Sequence, residues 1–166
     1  MDSKTKPGFT YLIELFDPQG KLLDTEIVHN LVPIEGLNYF LGTGIAGVTQ
    51  ATAHYIGLFE GNYTPIPAIT AATIIAAATE CTTYTPSARP AFTHGAIANG
   101  RADNSASRAE FTATADKTIY GGFISSVAAK GATSGRLISA VRFASPKAFT
   151  TGSVLRVTAG LEFISE

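Results

Sequence analysis

Nine consecutive residues near the end of the chain alternate without a break. Leu155, Val157, Ala159, Leu161 and Phe163 are apolar, and Arg156, Thr158, Gly160 and Glu162 between them are polar or small. Successive side chains of a strand leave opposite faces, so a period of two marks a strand with one face on a core and the other on solvent. Such a strand needs neighbours in its sheet and a second layer over its apolar face. Residues 136–143 repeat the pattern more weakly, with Leu137, Val141 and Phe143 on one face. The rest of the chain therefore has to supply strands.

Turn signals divide it accordingly. Residues 9–16 and 21–30 flank Asp17-Pro18-Gln19-Gly20 and read as a hairpin. Further strands are expected at 55–60, 89–95, 108–114 and 118–127, then 136–143 and 154–164, with turn or loop residues at 99–107, 116–117 and 130–135. Pro33 and Gly42 bracket a short helix, in which Ile34, Leu37 and Leu41 recur at helical spacing and are expected to be its buried stripe. A second short helix is expected near 71–77. The fold class is mostly β, a two-sheet β-sandwich with the jelly-roll as one form of it, carrying one or two short helices. Residues 1–8 read as a polar arm, and 9–166 as a single domain that begins with the hairpin 9–30. Lys4 and Lys6 on the arm, with Phe9 next to it, are the candidate partner contacts.

Composition narrows the function. Charged residues are 15% of the 166, against about 25% in an average soluble domain, while 45% are hydrophobic. A chain with so little charge to spread over its surface is expected to have part of that surface covered by a partner. The net charge of -1 offers no basic field for nucleic acid. No run of apolar residues is long enough for a membrane-spanning helix. The one cysteine, Cys81, cannot form an intrachain disulfide, and no secretory apolar run follows Met1, so synthesis in a cytosol-like compartment is expected.

The residues that could carry chemistry lack helpers. Gly42-Thr43-Gly44-Ile45-Ala46-Gly47 spells the dinucleotide glycine motif, but the motif works only between a strand and a helix N-terminus, and here a helix is expected before it. His29, His54 and His94 stand at no metal-binding spacing, and Cys81 has no second cysteine. Cys81 reads as a small buried residue rather than a nucleophile, its nearest basic neighbour in sequence being Arg89. No serine sits in a nucleophile elbow. Glu14, Glu26, Glu60, Glu110 and Glu162 lie on or beside expected strands and read as solvent-facing members of them. Arg89, Arg101 and Arg108 form the densest basic stretch, diluted by Asp103 and Glu110, and suit an inter-subunit salt bridge or loop anchoring better than nucleic acid. The expectation is a protein that is not an enzyme, with no catalytic residue, cofactor or metal.

Several segments resemble capsid decoration, or cement, proteins of tailed bacteriophages. They are the run from Val28-His29-Asn30-Leu31-Val32-Pro33 through Asn38-Tyr39, the run Tyr55-Ile56-Gly57-Leu58-Phe59-Glu60-Gly61-Asn62-Tyr63, and Thr83-Tyr84-Thr85 on to Arg89-Pro90-Ala91-Phe92. Thr118-Ile119-Tyr120-Gly121-Gly122-Phe123-Ile124 and Gly152-Ser153-Val154-Leu155-Arg156-Val157-Thr158 complete the likeness, which covers the chain from about residue 27 onward. The resemblance implies a β-sandwich or jelly-roll domain on the outside of an icosahedral shell, bridging capsomers. Its partners would be the major capsid protein and further copies of itself, as a dimer or trimer, with no nucleic acid and no membrane. It implies no catalytic residues. The virion surface would be its location after synthesis in the host cytoplasm. A tail, neck or fibre-associated module of a phage particle is the alternative.

Overall fold

Alternating and turn-bounded segments become ten strands and two helices in the computed structural model, which describes residues 8–163. Strands β1 (Gly8–Phe16) and β2 (Leu22–His29) form the expected hairpin, followed by α1 (Ile34–Ile45), β3 (Tyr55–Phe59) and α2 (Ala71–Ala78). Three short strands come next, β4 (Glu80–Cys81), β5 (Tyr84–Thr85) and β6 (Arg101–Asp103). The chain continues with β7 (Ala109–Ala113), β8 (Lys117–Ser125), β9 (Leu137–Phe149) and β10 (Val154–Glu162). The protein is mostly β, 44% strand and 13% helix, built as two antiparallel sheets.

One sheet has the order β2-β1-β10-β7-β5, with β6 also on β10; the other has the order β4-β3-β8-β9. The alternating C-terminal segment is central to the first sheet. It pairs with β1 along its whole length, Leu15 opposite Leu155 and Tyr11 opposite Ala159, and with β7 on its other side. Tyr11, Ile13, Leu15, Phe111, Leu155 and Val157 pack from this sheet onto Ile56, Leu58, Ile119, Val141, Phe143 and Phe149 of the second. The second sheet is covered on its other face too. Phe59, Phe123, Leu137 and Ala140 meet Ile74 and Ala78 of α2, which is why β3 and β8 read as nearly continuous apolar runs rather than as alternation. A polar tie crosses the core. The Tyr11 hydroxyl lies 2.7 Å from Ser139 Oγ, which also accepts from Asn30 Nδ2 at 2.6 Å, and burial pushes the Tyr11 phenol well above its ordinary pKa.

Four local expectations need correction. Residues 89–95 are a connecting segment: Pro90 has no N–H to give, and the run meets β3 only briefly, through Pro90 O with Ile56 N and Phe92 N with His54 O, while Arg89 N and Gly95 N donate to Ala128 O and Asp103 O. Strand β9 does not stop before Ser145-Pro146. Its register on β8 jumps between Arg142 and Lys147, and the extra residues bulge out, with the Ala144 and Ser145 N–H groups caught by the Glu26 carboxylate. The inward row of β10 is buried at Leu155, Val157 and Ala159, but Leu161 is half-buried, and Phe163, just past the strand, is exposed and meets only Phe40, edge-on, among the described aromatic rings. The fourth correction concerns α1. Its buried residues are Gly36 and Tyr39, while Ile34 and Leu41 of the expected inward stripe face solvent and Leu37 lies at the boundary.

Candidate interaction surfaces

The roll of α1 about its axis is set by close contacts on one side. Gly36 lies so near β9 that an added Cβ would sit 2.5 Å from the Ile138 carbonyl oxygen. On the next turn the Tyr39 hydroxyl accepts the Ala51 N–H at 2.9 Å, and its ring stands edge-on to His54. Glu35 pins the start of the helix. Its Oε2 accepts the N–H groups of Ala71, at the start of α2, and Leu137, at the start of β9, both at 2.8 Å. With that face fixed, Ile34, Asn38, Leu41 and Ile45, spaced by four, three and four residues, fall on the opposite side. Ile45 is 83% exposed, Leu41 59% and Ile34 53%, and Val48 in the following turn is 52% exposed. A groove of about 470 Å³ runs beside Ile34, between Asn38 and Val48 on one wall and Pro67 and Thr70 on the other.

A second exposed apolar cluster lies on β2, where Leu22, Leu23 and Ile27 are open to solvent. Seven of the ten large exposed hydrophobics among the described residues belong to these two segments: Leu22, Leu23 and Ile27 with Ile34, Leu41, Ile45 and Val48. Apolar side chains scattered singly over a surface are ordinary; grouping of this kind marks contact surfaces.

Beneath β2 lies a charge cluster that the sequence reading missed. Lys147, on β9, is buried, and its Nζ lies 2.7 Å from Asp24 Oδ2 and 2.7 Å from Glu26 Oε2. Burial alone would lower its pKa; the bonds to the two carboxylates outweigh it and hold the ammonium above its ordinary value. The bond to Lys147 in turn holds Asp24 below the usual carboxylate range. The spacing of Asp24 and Glu26, two residues apart on a strand, was the available signal, since it puts both carboxylates on one face. A second missed pair is Arg89 with Glu80, both buried and joined at 2.7 and 2.9 Å as a fork. Arg89 also donates to Ser125 Oγ and the Val127 carbonyl, and the Gly131 N–H bonds Glu80, so the pair anchors the loop between β8 and β9. Loop anchoring was one of the two uses expected of the basic stretch that includes Arg89, an inter-subunit salt bridge being the other. Arg101 and Arg108 pair within the chain as well, with Asp103 and Glu14.

The chemically reactive residues are dispersed. His29 ends β2 with its Nδ1 3.2 Å from Thr10 Oγ1. His54 is packed against Tyr39, and burial, then the charge of His94, lowers its pKa. Cys81 lies in the core beside Thr83, and burial raises its thiol pKa. Gly42 and Gly44 belong to the last turns of α1 and Gly47 lies just beyond, so no strand feeds the glycine motif. Of the strand carboxylates, Glu14, Glu26, Glu60 and Glu110 are held by Arg108, Lys147, Lys117 and Arg156. Among the described residues no three His, Cys, Asp or Glu side chains gather as a metal site. No described helix is long and apolar enough to cross a membrane. Lys4 and Lys6 lie outside the described residues. Phe9 is 3% exposed and packs in the core against Tyr11 and Phe92, so its ring serves the fold rather than presenting a contact surface.

No protein-family model, curated protein or solved structure shows a significant match to this chain.

Proposed function

We propose that this chain is a structural protein of a tailed-phage particle, one that sits on the outside of the capsid and bridges neighbouring capsomers. The observation that carries the reading is the apolar stripe of α1, Ile34, Leu41 and Ile45 continued by Val48, turned to solvent on a helix whose opposite face is pinned to β9. Full burial of such a side chain contributes roughly 1.5–3 kcal/mol, and these four are already partly covered, so together they offer on the order of 4–8 kcal/mol. Association costs an estimated ~4–15 kcal/mol in lost freedom and ordering. One such contact alone is weak. Repeated over a symmetric lattice, with each copy touching more than one subunit, weak contacts become a large total stabilisation.

The major capsid protein is the partner this reading assigns, and the virion surface the location. Heating particles with and without the protein tests it. Bound copies stabilise the assembled state by mass action, so genome release should move to higher temperature as occupancy rises. Particles equally robust without it, or protein that attaches to tails and not to heads, would overturn the capsid assignment in favour of a tail or neck module.

A further inference from the structure

The β2 edge of the first sheet carries an inference that stands apart from the capsid reading. Asn30 N donates to Phe9 O, and the hairpin register pairs Tyr11 with Val28, Ile13 with Glu26 and Leu15 with Asp24. In an antiparallel ladder directly bonded pairs occur at alternate positions, so Asp24, Glu26 and Val28 turn their backbone groups to β1 while Thr25 and Ile27 turn theirs away from the sheet. Among the described residues β2 pairs with β1 alone.

Natural sheets guard an exposed edge with lysines, prolines or inward charges. The solvent face of β2 instead presents Leu22, Thr25, Ile27 and His29, with Leu23 exposed beside them at the register shift. The strand's two acids, Asp24 and Glu26, lie on the inner face and are engaged by Lys147. We infer that this edge binds a second copy of the chain, the two β2 strands pairing antiparallel across a two-fold axis at Thr25 and joining the two sheets into one. That register sets Thr25 against Thr25 of the other copy and Ile27 against the exposed Leu22-Leu23 step, where the hairpin register shifts, on the outer face. Each is a pairing of the kind that stabilises sheets. Its like-charged contact, Asp24 against Glu26, occurs twice by symmetry and is partly offset because the two acids of each copy share a Lys147 ammonium at 2.7 Å. A register one residue along would place the two Glu26 side chains directly opposite each other, which disfavours it. A single strand pair with its flanking side chains falls short of the ~800 Å² per partner of a standard stable interface, so the dimer dissociates on dilution.

Sedimentation equilibrium of the isolated protein over rising concentration tests this without any capsid. The full chain should follow a monomer–dimer equilibrium. Ile27→Lys, at a side chain 65% exposed, should keep its melting temperature and weaken the dimer by about tenfold or more, the affinity equivalent of one lost apolar contact and an added edge charge. Thr25→Cys should cross-link to itself under mild oxidation, and Thr112→Cys, on β7, should not. A protein that stays monomeric throughout, or an Ile27→Lys variant that dimerises as well as the parent, would overturn the inference. So would a monomer that dimerises only after residues 1–7 are removed, because the chain's own start would then be the occupant of the edge.

Discussion

Replacing glycine by alanine at two positions of α1 should shift stability in opposite directions. Alanine at a helical site is favoured over glycine by about 1 kcal/mol, chiefly through the freedom that glycine loses on folding. At Gly44 nothing lies within 4 Å of the added methyl, so Gly44→Ala should gain most of that amount. At Gly36 the same methyl would meet the Ile138 carbonyl oxygen at 2.5 Å and the Leu137 carbonyl oxygen at 3.1 Å. Both are backbone atoms of β9 and cannot rotate aside. The helix would have to lift, stretching the two bonds that Glu35 Oε2 receives from Ala71 and Leu137. Overpacking of this kind costs about 1–3 kcal/mol, which outweighs the propensity gain. The variants should therefore differ by about 2 kcal/mol, or roughly 4–8 °C in melting temperature for a chain of this size. Equilibrium urea unfolding with unchanged m-values measures it. Equal stabilisation by both substitutions would refute the seating of α1 on β9, and with it the reason that Ile34, Leu41 and Ile45 face outward.

Other perturbations follow from the buried charges and the core. Arg89→Met should cost about 3–5 kcal/mol in denaturant unfolding because it strands the buried Glu80 carboxylate, and adding Glu80→Leu should recover much of the loss. Asp24, whose folded pKa is depressed, contributes stability that is present above its unfolded pKa of about 3.9 and lost as pH falls through the lower folded value. Lys147, whose folded pKa is raised, contributes stability that is present below about 10.4 and lost as pH rises through the higher folded value. Between those limits His54, whose folded pKa is lowered, should cost stability as pH falls below about 6.5, and Cys81, whose folded pKa is raised, as pH rises past about 8.5. In melting temperature against pH, Asp24→Asn should soften the acid limb while leaving the alkaline one. Phe9→Ala should cost about 3–5 kcal/mol in the same unfolding assay, as a core residue does, where an exposed contact residue would cost almost nothing.

The sheets were legible where a strand has one wet face. β1, β2 and β10 alternate, and their turns carry the Pro and Gly that close them, so residues 9–30 and 154–162 read directly from sequence. Periodicity says less where both faces are covered, as in β8, and it cannot report a bulge held from another sheet, as Glu26 holds the one in β9. α1 shows a sharper limit. The period of Ile34, Leu37 and Leu41 correctly marked a helix, but apolar spacing identifies a stripe and not the direction it faces. Gly36, by letting the backbone approach β9, decides that direction, and a glycine adds nothing to a hydrophobic pattern. The buried pairs Arg89–Glu80 and Lys147–Asp24–Glu26 were hidden for another reason: their partners are brought together by tertiary folding across sheets and loops, with Asp24 and Lys147 123 residues apart.

The outward stripe of α1 as the surface that holds this protein on a shell is tested most directly by one comparison. Expanded capsids lacking the protein are incubated with the parent chain or with Ile45→Glu, an exchange at a side chain 83% exposed, and bound protein is counted after sedimentation. Matching melting temperatures and circular dichroism first establish that the variant folds. The parent should saturate the shells near the copy number of the shell subunit, and Ile45→Glu should remain in the supernatant. Equal binding by both, or no binding by the parent, would contradict the assignment.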